Sequence, residues 1–198
     1  MLIAEKIYWS FRQYLEDSRR WAEGRFPFFR LMLLLVLAWS WYNHLKDPRY
    51  QSVFFGLNFG IHELGHFVFA PLGQFMMILG GSLFQCLVPL IGLAMFLYQG
   101  DRFGVAFSFG WEATNIYYVA TYTADARAMK LPLLTPFGKE AYHDWNWLLS
   151  RTGLLKQDIL IASAFRILAS LCMIICLFYG GWLVYRMLKS FRRNWGSG

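Results

Sequence analysis

Residues 62–66 read His-Glu-Leu-Gly-His. On a helix, His62 and His66 stand one turn apart, at i and i+4, so both imidazoles leave the same face and can converge on one ion. Glu63 follows His62 directly, where it can hydrogen-bond a water activated by that ion and take its proton without itself being a ligand. This is the pattern of a zinc hydrolase. With four histidines and twelve acidic residues among 198, a His-acid-x-x-His pattern arises by chance in roughly one such chain in 200.

Two histidines leave a catalytic zinc short of its usual third protein ligand. If the segment is a helix running toward the side where the polar stretch 125–158 emerges, the third donor comes from Asp125, His143 or Asp144. His143 offers the most familiar zinc-binding atom and is the expected ligand, with Asp144 able to orient it or to replace it. Asp125 has the advantage of standing at a helix end instead of in a loop. Glu112 falls inside an apolar run, nearer the opposite face. The plainer reading is a set of polar residues that hydrogen-bond between helices, with Asn58, Gln85, Glu112 and Asn115 as partners. A functional alternative is a membrane transporter or sensor that holds an ion through His62, Glu63 and His66 without hydrolysis.

The elements that must position these residues belong to a membrane protein. At 57% hydrophobic and 20% aromatic, the chain is far more apolar than soluble domains of its size. The expected fold is an all-α membrane protein with about five transmembrane helices (four to six) preceded by an N-terminal amphipathic helix. Residues 1–24 set Ile3, Ile7, Phe11, Tyr14 and Trp21 at helical spacing among charges, which suits a helix in the membrane interface. Residues 25–198 form the membrane domain, with spans near 28–43, 52–70, 75–98, 103–124 and 159–185 and a metal-binding core over 52–158. Gly80-Gly81 and Pro89 allow the third span to be broken or re-entrant.

The charge of +7 does not point to nucleic acid, because the basic residues lie at the ends and in loops, not along one stripe. On a five-span reading, ten Lys and Arg fall on the side of the N-terminus and seven on the other, with the basic tail on the poorer side, so charge does not fix the orientation. Cys86, Cys172 and Cys176 sit in apolar runs and form no Cys-x-x-Cys pair, which implies neither a disulfide framework nor a thiolate zinc site. The early charges Glu5, Lys6, Arg12, Glu16 and Asp17 are wrong for a cleaved signal peptide.

A His-Glu-x-x-His in an early span, an interrupted third span and an acidic residue closing a fourth resemble the site-2-protease-like family of intramembrane zinc metalloproteases. The likeness covers about residues 52–125. It implies a metallopeptidase of the bacterial inner membrane that binds zinc through His62, His66 and an aspartate carried over to Asp125. Glu63 would activate water, and the substrate would be a membrane protein or peptide reached from the lipid. The family's aspartate stands in a Leu-Asp-Gly context after an Asn-x-x-Pro element, whereas this chain has Ala124-Asp125-Ala126, with Asn115 ten residues earlier and no proline between.

Overall fold

The structure is a computed structural model and describes residues 3–132 and 143–195. Lys139 and Glu140 of the long polar stretch lie outside the described residues. The chain is all-helical, as expected, with no strand among the described residues. Its helices are α1 (Ile3–Ala22), α2 (Phe28–Lys46), α3 (Phe55–Phe69), α4 (Gln74–Gln99), α5 (Arg102–Ala124), α6 (Asp144–Arg151) and α7 (Asp158–Trp195), with 3-10 turns at Ala70–Leu72 and Leu155–Gln157.

Local chemistry sets the boundaries. Gly100 ends α4 in the left-handed region, at φ +71°, where a residue with a side chain would be strained. Asp101 then caps α5, its carboxylate accepting from the Phe103 and Gly104 N–H groups at 3.0 and 2.9 Å. Helix α4 runs unbroken through Gly80, Gly81 and the buried Pro89, so the break that these residues allow does not form.

Helix α5 is the centre of the bundle, with fifteen of its 23 residues buried. Helices α2 and α7 close on it through Leu34, Leu37, Ala113, Met173, Cys176 and Leu183. Gly110 permits the close approach: a Cβ there would lie 2.7 Å from Cys176 Sγ and 2.8 Å from Leu37 Cδ1. The α3–α4 contact is of another kind. Gly65 and Gly80 bring backbone against backbone, and a Cβ on Gly80 would stand 2.7 Å from the Gly65 carbonyl oxygen.

The bundle has two distinct ends. At one, α1 docks on the last turns of α7, where Ser18 Oγ lies 2.9 Å from Tyr179 OH and Gly24 N–H donates to Ser190 Oγ at 3.0 Å. The Arg102 guanidinium lies 4.3 Å over the Tyr14 ring, which places the start of α5 and the end of α4 there too. At the other, the turn after α2 is bonded to α5 through Thr121 Oγ1 and the Pro48 carbonyl, and Asn146 of α6 reaches the Ala126 carbonyl at 2.7 Å.

Helix α3 departs from expectation. It is 15 residues long, or about 22 Å, short of the roughly 30 Å hydrocarbon core. Its first turn reaches the middle of α5, where the Phe54 and Phe107 rings are 6.1 Å apart and Asn58 Nδ2 lies 3.3 Å from Thr114 Oγ1. From there it climbs back to the end it came from, because Arg49, Tyr50, Gln74 and Trp147 all line one cavity.

Two helices, Gln74–Gln99 and Leu155–Arg193, are long and apolar enough to cross a membrane; the other three expected spans do not meet that measure. Helix α3 is too short. Polar residues interrupt the other two, among them Arg30, Asn43 and His44 in α2 and Glu112, Thr114 and Asn115 in α5.

Candidate metal centre

The gathering of residues starts from the α3–α4 crossing. Because Gly65 and Gly80 let the backbones touch, the face of α3 bearing His62 and His66 lies directly on α4 at Gly81 and Gln85. Gly81 leaves the space that the rings occupy: a Cβ on it would fall 2.6 Å from His62 Nε2 and 2.7 Å from His66 Cε1. The rings stand nearly perpendicular, with centroids 4.8 Å apart. The Nδ1 of His66 lies 2.9 Å from the Met77 carbonyl oxygen, and the Nδ1 of His62 lies 3.2 Å from Gln85 Oε1.

Both Nε2 atoms then face one carboxylate. Asp144 Oδ2 is 3.1 Å from His62 Nε2 and 3.4 Å from His66 Nε2, and the three donor atoms lie within 4.8 Å of one another. Asp144 is brought there by the first turn of α6. Its N–H donates to Tyr122 OH at 3.0 Å, and the neighbouring Trp145 indole donates to Ser82 Oγ at 3.1 Å, so the turn is tied to both α5 and α4. Burial pushes the Asp144 carboxyl up, and the hydrogen bonds of the two histidines outweigh it, holding the group below the usual carboxylate range.

The other two candidates for third donor occupy a second layer. His143 caps α6, its Nδ1 accepting from the Asn146 N–H at 3.2 Å. A neutral ring with that bond carries its proton on Nε2, which points to Asp125 Oδ2 at 3.4 Å and has no partner of better geometry. Burial holds the imidazole below its usual range, against the pull of Asp125. The Asp125 carboxylate is occupied in folding the turn after α5, accepting from Lys130 N–H at 3.1 Å and Leu131 N–H at 2.9 Å. The structure therefore brings Asp144 to the histidine pair, and directs both nitrogens of His143, the expected ligand, elsewhere. Asp125 and His143 face each other beside the turn that carries Asp144.

These residues fit a divalent cation. A backbone carbonyl can only accept, so His66 Nδ1 must carry a proton, and its Nε2 then presents a lone pair to an anionic carboxylate. His66 so placed needs either an extra proton or a cation between its Nε2 and the carboxylate. Two imidazole nitrogens and a carboxylate oxygen, with second nitrogens held by carbonyl oxygens, are a donor set and outer layer suited to catalytic zinc.

Glu63 lines the same cavity of about 520 Å³ as His62, His66 and Asp144, within electrostatic reach of all three. Apolar groups of Phe55, Phe59, Ile78 and Val119 line it as well, with Arg49, Tyr50 and Gln51 at the turn after α2. Of the remaining polar residues, Asn58 accepts from the Trp111 indole at 2.8 Å and belongs to the α3–α5 contact. Glu112 and Asn115 are buried in α5 with one oxygen each unpartnered, and neither lines the cavity.

Reasoning from sequence missed Tyr122, the Met77 carbonyl and the role of Gly81. No spacing rule marks the first two, and Gly80-Gly81 reads in the sequence as an interruption of the third span, not as space for the imidazoles. Comparison with models of known families, with curated proteins and with solved structures finds no match to this chain.

Proposed function

We propose that the chain is a membrane-embedded zinc metallopeptidase that hydrolyses a peptide bond in or beside the bilayer. The observation that carries this reading is the convergence of His62 Nε2, His66 Nε2 and Asp144 Oδ2 in an arrangement that the proton count of the His66 ring leaves open to a cation. A zinc ion held there would supply Lewis acidity, activating water and polarising a carbonyl. Among the described residues Glu63 is the only other carboxylate lining that cavity, and its part is to take the proton of the attacking water and pass it to the leaving amine. Asp144 neutralises charge and fixes the two rings, while Gln85 and the Met77 carbonyl hold their tautomers. The apolar lining limits bulk water around the reacting groups.

Placement in lipid rests on the outward faces of the helices. Leu35 and Trp39 on α2, Phe67 on α3, Ile91 and Met95 on α4, and Leu168, Leu171 and Phe178 on α7 are all exposed. Apolar surface of that extent in contact with water would be unusual for a soluble monomer.

Purified protein is expected to carry close to one zinc per chain and to cleave unstructured peptides. Glu63→Gln should keep the zinc and lose cleavage by about 10²-fold or more. Retained cleavage in that variant would remove the enzyme reading, and full zinc with no cleavage in the parent chain would favour a metal carrier or sensor.

A further inference from the structure

Helix α3 and the helix ends carry an inference about the side from which the site is reached; it rests on the placement in lipid argued above. The turn after α2, the α3–α4 turn, the turn after α5, and α6 all border one cavity through Tyr50, Gln74, Leu131 and Trp147. They therefore share one end of the bundle. A chain that leaves α2 at that end and begins α4 at that same end has not crossed the bilayer in between. Helix α3 dips to the middle of α5, where Asn58 meets Trp111 and Thr114, and returns. Backbone that enters a membrane and turns back is tolerated where protein covers it; Asn58 is fully buried, and α4 covers α3 at Gly65 and Gly80.

If α2 and α5, whose polar residues keep them below the apolar measure that α4 and α7 meet, cross inside the bundle while α3 does not, four helices cross and the two termini fall on one side. This rearranges the charges. The end of the bundle with the termini takes Lys6, Arg12, Arg19, Arg20 and Arg25 from α1 and the turn after it. Arg30 and Arg102 open α2 and α5 there, and Arg186, Lys189, Arg192 and Arg193 close α7, which makes eleven. Among the described residues the cavity end takes Lys46, Arg49, Arg127, Lys130, Arg151, Lys156 and Arg166, whose guanidinium donates to Thr121 Oγ1 at 3.3 Å, which makes seven. The basic tail, which contradicts the N-terminal charges on a five-span reading, now adds to them. Lys and Arg within reach of membrane helices favour the cytoplasmic side, and a basic helix lying on the anionic inner leaflet strengthens the bias.

We infer that α3 is a re-entrant half-helix and that the His62, His66 and Asp144 site opens at the extracytoplasmic face. Its substrate is a polypeptide segment presented from outside the cytoplasm or from the outer leaflet, not one delivered from the cytosol.

Single cysteines read this directly, independently of zinc or activity. Lys46→Cys, Leu72→Cys and Lys156→Cys sit at the cavity end, and Gln99→Cys and Arg193→Cys at the end with the termini; all five positions are exposed. The chain's own three cysteines lie within α4 and α7, and the unsubstituted chain supplies the blank. Intact bacterial cells are treated with a membrane-impermeant maleimide, and each variant is scored against the same sample denatured.

The expected result is labelling of Lys46→Cys, Leu72→Cys and Lys156→Cys in intact cells, with Gln99→Cys and Arg193→Cys labelled only after lysis. Labelling of Lys46→Cys without Leu72→Cys, or the reverse, would show that α3 crosses and overturn the inference. Labelling of the Gln99 and Arg193 variants alone would overturn the assigned side. A C-terminal fusion to a reporter that fluoresces only in the cytoplasm gives a second reading in the unsubstituted chain: bright is expected, and dark contradicts the orientation.

Discussion

Where α7 meets α5 and α2, the contact is built of side chains: Leu37, Met173, Cys176, Leu183 and Met187 are buried against one another. Where α3 meets α4, backbone carries the crossing point, with the Phe69 and Phe84 side chains flanking it. Gly65 and Gly80 touch through backbone, and the space beside Gly81 is filled by imidazole. The first contact is specified by volume, which many apolar combinations can supply. The second is specified by the absence of volume, which only glycine supplies. Stability and function therefore draw on different parts of this small bundle, and they should separate under mutation.

The largest separation is expected at the donors themselves. His66→Ala and Asp144→Ala should reduce bound zinc to background and abolish cleavage, while the α5–α7 contact keeps the helical content seen by circular dichroism; zinc content of the purified variants measures this. Gly81→Ala comes next. Its Cβ would press on His62 Nε2 and His66 Cε1, so zinc affinity should fall by about 10- to 100-fold, by analogy with losses at residues that support metal ligands. A competitive chelator titration resolves a change of that size.

A smaller effect is expected one layer further out. Asp125→Ala removes the acceptor for the Lys130 and Leu131 N–H groups and the neighbour of His143 Nε2. Zinc affinity should weaken by about tenfold, and His143→Ala should fall in the same range, not in the range of Asp144→Ala. The smallest effect belongs to the other contact. Met173→Leu conserves apolar volume at a fully buried site. It should cost less than about 1.5 kcal/mol, read as a small drop in Tm with zinc content unchanged.

The same contrast explains what could be read from the sequence. Helices α2, α4, α5 and α7 are announced by apolar runs, and their boundaries fall within a few residues of expectation, except that α7 continues about ten residues past its apolar stretch to Trp195. The His62, Glu63 and His66 pattern is local, because a helix alone places i and i+4 on one face.

What was not legible depends on contacts between distant segments. Residues 52–70 are apolar enough to suggest a crossing, and only the meeting of Asn58 with Trp111 and Thr114 sets the first turn of α3 beside the middle of α5. The choice between His143 and Asp144 turns on one position of register at the start of α6. His143 is the cap and Asp144 the first helical residue, and the ties of Asp144 to Tyr122 and Trp145 to Ser82 decide which of them faces α3. Neither signal exists in residue type or spacing.

A divalent ion held jointly by His62, His66 and Asp144 would have a distinctive set of neighbours. Zinc X-ray absorption on the purified protein tests it most directly, comparing the parent chain with Asp144→Ala and His143→Ala. Two imidazole nitrogens at about 2.0–2.1 Å and a carboxylate oxygen at about 2.0–2.2 Å are expected. The oxygen should be lost in Asp144→Ala and kept in His143→Ala. A shell of three imidazoles, or one unchanged by Asp144→Ala, would contradict joint ligation by these three residues.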